Sequence, residues 1–151
     1  AEQREAFESI LEDALGAGCS IEVAQAIHDQ FSSQIREHKE SKSTESLIVT
    51  AGEIGKVLLA CGVTEENVAA FQAQCGERFG VGAVLDPANL IDPGKYEVKT
   101  AQATIQVDPE FSYAVTTRVI DGRAYLLLPA DDIQVNGLPI QVTNGQETET
   151  I

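Results

Sequence analysis

Two dipeptides, Asp121-Gly122 and Asn136-Gly137, each interrupt a run of alternating apolar and polar residues between Val115 and Val142. Both tolerate the positive φ angles that two-residue hairpin turns require, so this third of the chain is written as antiparallel β-structure. The first turn sets Val119 opposite Ala124 and Thr117 opposite Leu126, leaving Arg118 beside Tyr125 on the other face. The second pairs Val135 with Leu138 and Ile133 with Ile140. Pro139 lacks a ladder donor, which makes the last strand an edge or turns that position outward. Further upstream, Tyr96 and Val98 alternate with Glu97 and Lys99, and Ala103, Ile105 and Val107 alternate with Thr104 and Gln106, the pattern of half-buried strands.

Four helical segments precede this sheet region. Phe7, Ile10, Leu11, Ala14 and Leu15 recur at helical spacing until Gly16 and Gly18 break the pattern. Ser20 then caps a second helix striped by Val23, Ala24, Ile27, Phe31 and Ile35, and the two helices are expected to form a hairpin. Residues 37–46, EHKESKSTES, hold no apolar side chain and read as a solvated helix end running into a linker. Thr50 and Glu53 have the spacing of a capping box for a third helix, which stops at Gly62. Thr64 opens a fourth, with Glu65 and Glu66 favourably placed against its dipole and Val68, Phe71, Cys75 and Phe79 on one face.

Helices first and antiparallel strands afterwards give an α+β fold: two helical hairpins, then a four- to five-stranded meander with apolar rows at Ile105, Val107, Val115, Val119, Leu126 and Leu128. This order excludes the alternating βαβ units on which most nucleotide sites are built. The expected organisation is a helical hairpin over 1–40, a linker over 41–46, a second hairpin with the sheet over 47–142, and a polar tail over 143–151, with one compact domain as the alternative. The chain starts at Ala1 and contains no Met, which suggests a piece of a longer protein.

A formal net charge of -14, from 10 basic and 24 acidic residues, argues against nucleic acid and against an anionic membrane surface, both of which select basic side chains. No run approaches the ~20 apolar residues of a membrane-spanning helix. Gly62-Val63-Thr64 resembles the turn of a helix-turn-helix between Glu53 and Phe71, yet its second helix begins with two glutamates rather than basic or amide side chains, so DNA binding is a minor alternative. Gly80-Val81-Gly82 follows a helix, whereas a dinucleotide fingerprint follows a strand, so it is read as a flexible connection. The sequence holds no P-loop and no G-x-S-x-G elbow.

Cys19, Cys61 and Cys75 are odd in number and lack CxxC spacing, which fits free thiols in a reducing cytoplasm. His28 and His38 are not spaced to share a metal, and His28 is read as a helix-flank residue rather than a base oriented by Asp29. No metal and no cofactor is expected. The acids of the Asp86–Asp92 loop and the Asp131-Asp132 pair are read as turn formers, because they lack the ligand ladder of a calcium loop.

The functional expectation is a cytoplasmic, non-enzymatic protein-interaction or scaffold module that engages a protein partner, or itself, through a sheet edge. The alternative is an enzyme or small-ligand binder with its site at the helix/sheet junction, and Asp92, Lys99, Arg118 and Tyr125 are the candidate ligand or partner residues. Arg118 is positioned to hold a carboxylate or phosphate, or to stack on Tyr125.

Several segments carry a family resemblance: residues 7–16, Ile27-His28, residues 37–40, Cys61-Gly62-Val63 with Glu65-Glu66, Asn89-Leu90-Ile91, residues 96–100, residues 105–109, residues 117–123 and Val135-Asn136-Gly137. Through them the chain resembles the C-terminal part of a bacterial family described as a domain of unknown function, DUF4317. The resemblance implies a longer N-terminal region in family members and a small residue such as serine where Cys61 stands. It implies no activity for any residue.

Overall fold

The computed structural model describes residues 2–143, and the sequence patterns fold as α+β. Four α-helices, α1 (Glu2–Leu15), α2 (Ile21–Ser41), α3 (Ala51–Ala60) and α4 (Glu65–Phe79), precede most of the strands. Their ends are fixed by the expected side chains. Ser20 Oγ accepts from the Val23 N–H at 3.3 Å, and Thr64 Oγ1 accepts from the Asn67 N–H at 3.1 Å. At α3 the capping box closes in both directions: Glu53 N–H donates to Thr50 Oγ1 at 3.2 Å, and Thr50 N–H donates to Glu53 Oε1 at 3.1 Å. Lys42 at φ 53° ends α2 in the left-handed region, at the start of the polar linker.

Short antiparallel strands follow the same local logic. They are β1 (Val49–Thr50), β2 (Val84–Leu85), β3 (Tyr96–Lys99), β4 (Thr104–Val107), β5 (Thr116–Ile120), β6 (Arg123–Leu127), β7 (Gln134–Val135) and β8 (Leu138–Pro139). Asp121 and Gly122 adopt φ 50° and 78°, and Asn136 and Gly137 adopt 50° and 85°, the two positive angles of a type I′ turn. The registers are those the turns dictate: Arg118 opposite Tyr125, Val119 opposite Ala124, and Val135 opposite Leu138. Ile140 N–H donates to Ile133 O at 2.9 Å.

The strands pair two by two, β1 with β2, β3 with β4, β5 with β6 and β7 with β8, where a continuous meander was expected. Among the described residues no ribbon extends to a third strand. The expected apolar rows change accordingly. Val115 is buried and Ile105, Val107 and Leu126 are half-buried, but Val119 and Leu128 are 69% and 45% exposed, because the pleat of a lone ribbon has no second layer of its own.

Two compact units emerge, one ending at Tyr113 and the other beginning at Ala114. The first holds the main core, to which residues on both sides of the 41–46 linker contribute. Phe7 of α1 stands at its centre, its ring 6.1 Å from that of Phe31 on α2 and 6.2 Å, edge-on, from that of Phe71 on α4. α1 finds its long neighbour in α4, where the expected first hairpin would have paired it with α2. Asp13 of α1 accepts a hydrogen bond from Gln74 of α4 at 2.9 Å along this contact. The second hairpin, α3 on α4, packs as expected, with Gly55 of α3 so near Val68 that an added Cβ would lie 3.0 Å from its Cγ1. The polar tail expected over 143–151 lies, from residue 144 onward, outside the described residues.

Candidate functional site

In the first unit, residues of α1, of α2 and of the segment from Leu90 to Glu97 line a cleft of about 370 Å³. Phe7, Leu11, Ile27 and Leu90 give it apolar walls, while Arg4, Glu8, His28, Lys95 and Glu97 bring polar groups to its surface. Its geometry is set by His28. The imidazole Nε2 lies 3.0 Å from Asp92 O and 2.9 Å from Lys95 O, so this nitrogen carries the proton and donates to the two carbonyls. Nδ1 and the Ser32 hydroxyl lie within hydrogen-bond distance, 3.4 Å apart. Tyr96 meets the ring edge-on at 5.4 Å. Burial, with the charges of Asp29 and Glu22 adding to it, raises the Tyr96 phenol above its usual range. The helix-flank reading of His28 is thus corrected: this buried ring ties α2 to the segment that starts β3.

Asp92 belongs to the cleft, but its carboxylate serves the backbone, accepting the Gly94 N–H at 2.9 Å. Asp86 does the same for Ala88 at 3.0 Å, as expected for turn formers. Lys99 lies two residues along β3 from Glu97, on the same face. Half-buried Glu97 is shared between the exposed Lys95 at 3.5 Å and Lys99 at 3.6 Å, surface ion pairs of small energetic weight. Arg118 and Tyr125 stand opposite one another on the β5–β6 ribbon of the second unit, both exposed. The four candidates therefore fall into two groups, one per unit.

Two residues that pattern reasoning passed over line the cleft. Arg4 sits three and seven positions before Phe7 and Leu11, on the core-facing line of α1, and Glu8 is one turn further along from it. A basic residue continuing an apolar stripe within a turn otherwise marked by Glu2 and Glu5 was the available signal. His28 gave none, since its partners are backbone carbonyls more than sixty residues away.

A second cleft, about 340 Å³, lies between the start of α3, the end of α4 and the Gly80-Val81-Gly82 loop. Gly80 and Gly82 adopt φ 102° and 75°, angles open to glycine, and they hold Val81 97% exposed. Cys75 lines this cleft, where burial pushes its thiol up to about 11, so it is not a thiolate nucleophile at neutral pH. Burial also raises Cys19 and Cys61, aided by Glu12 and Glu22 respectively. All three thiols are free. Among the described residues no group of three or more His, Cys, Asp or Glu side chains is placed to hold a metal ion, and no helix is long and apolar enough to cross a membrane.

The other surface with functional character is the β5–β8 region. Val119, Ile120, Tyr125, Val135 and Leu138 are all exposed on two ribbons of two strands each.

The family model for DUF4317, a domain of unknown function, matches residues 1–138, and the chain belongs to that family. No curated relative and no solved structure matches the chain.

Proposed function

We propose that this member of the family is a cytoplasmic protein-interaction module that receives an added β-strand from a protein partner or a second copy at the β5–β6 ribbon. The supporting observation is the exposure of Val119, at 69%, on a two-stranded ribbon whose outer edges are open to further pairing among the described residues. An isolated hairpin is only marginally stable in water, and an added strand supplies both ladder hydrogen bonds and cover for its apolar face. The β7–β8 ribbon is the poorer acceptor, because Pro139 removes a donor from β8. Three free thiols support the reducing compartment.

The test is a photo-cross-linking amino acid placed at Val119 in cells, with a control at Glu66, an exposed position on α4. Adducts are expected at Val119 alone, and their mass separates a partner from a second copy. Adding Val119→Lys studies of the purified chain checks that the charge removes the interaction while the helical unit keeps its melting temperature. Equal adduct formation at the two positions would overturn the reading.

A further inference from the structure

The β5–β6 register fixes which backbone groups the ribbon offers outward. Ile120 and Arg123 flank the two-residue Asp121-Gly122 turn and face each other, so the alternation of an antiparallel ladder makes them a hydrogen-bonded pair, as it does Arg118 with Tyr125. Thr117 and Val119 stand at the positions between, and their N–H and C=O groups point away from β6, toward the open edge. Residues directly opposite one another share a face. Arg118, Ile120, Arg123 and Tyr125 therefore lie together on one face, all exposed, and no acidic side chain of either strand belongs to it. Neither arginine has a carboxylate within 4.0 Å among the described residues.

We propose that the strand added at β5 is acidic: an extended segment of a partner protein, antiparallel to β5, in the pattern apolar, acidic, apolar, with its carboxylate facing Arg118. This rests on strand addition at the ribbon and names what the edge selects. Thr117 and Val119 take the ladder bonds, and the partner residue between them comes directly opposite Arg118, at the close Cβ spacing of a non-hydrogen-bonded pair, about 4.5–5.5 Å. The apolar residues on either side of it fall on the other face, where they cover Val119 and Thr117. A second copy fits less well. Two β5 strands in full antiparallel overlap set Arg118 against its own copy, a like-charge pair that weakens the ladder. Within a chain of net charge -14 the ribbon carries two arginines, Arg118 and Arg123, and one acid, Asp121, so an acidic segment meets a locally favourable field there.

Titration of the full chain with three capped peptides, Thr-Thr-Val-Glu-Val-Thr-Thr and its counterparts with Gln or Lys at the centre, followed by the amide NMR signals of Thr117 and Val119, tests this directly. The Glu peptide is expected to bind roughly tenfold tighter than the Lys peptide, with the Gln peptide between them, the difference between an opposite-charge and a like-charge cross-strand pair. Arg118→Glu should reverse that order, and because Arg118 is exposed the variant keeps its fold. Equal binding of the three peptides would overturn the acidic preference while leaving strand addition at the ribbon in place. Shifts at neither amide with any peptide would overturn both. An order unchanged in Arg118→Glu would overturn the proposal as well.

Discussion

At the scale of single residues, His28 and Cys75 show how burial changes what a side chain does. His28 donates to two carbonyls of the 92–95 turn, and removing it leaves those oxygens without their donor. His28→Ala is expected to lower unfolding free energy by about 1–3 kcal/mol, read by urea denaturation, with Tyr96 becoming more exposed as its edge-on neighbour disappears. Cys75 gives a pH signature. In the unfolded chain its thiol ionises near 9.0, while in the fold it holds its proton to about 11. Between those values the unfolded state loses a proton that the folded state keeps, so this contribution is complete below pH 9.0 and is lost as pH rises to about 11. Melting curves of Cys75→Ala should therefore decline less over that window than those of the unaltered protein. Arg118 and Tyr125 are exposed on their ribbon, so Arg118→Ala should change stability by less than about 0.5 kcal/mol.

At the scale of elements, caps and turns decide where each segment begins and ends. Thr50→Ala opens the capping box of α3 and is expected to cost about 1 kcal/mol in thermal unfolding, while Glu53→Gln, which still reaches the Thr50 N–H, should cost less. These features were legible in the sequence because they are local: Ser20, Thr50, Thr64, Asp121-Gly122 and Asn136-Gly137 act on backbone groups within four residues of themselves. What escaped the sequence is non-local. The β1–β2 bridge joins Val49 to Leu85 through only two residue pairs, too short for any alternation to show. The expected meander required strand neighbours that a hairpin turn does not specify, and the ribbons remain in pairs. Of the cleft's lining, Asp92 was named from the sequence and Lys99 lies two residues beyond Glu97, whereas Arg4, Glu8 and His28 come to it from α1 and α2, elements distant in the chain.

At the scale of the whole molecule, Phe7, Phe31 and Phe71 come from three helices on both sides of the 41–46 linker and meet in one core. A protease site introduced between Ser43 and Thr44 should accordingly yield two fragments that still elute together on gel filtration. Separate elution would show that this core is not what joins them. The ribbons beyond Ala114 carry little apolar cover, so their amides should exchange with deuterium ahead of those of α4. The partnership of α1 with α4 has a temporal consequence during synthesis. α1 leaves the ribosome before α4, whose Phe71 meets Phe7 edge-on and which ends only at Phe79. Until then the face of α1 that packs on α4 stays uncovered, the kind of apolar surface that chaperones at the tunnel exit recognise.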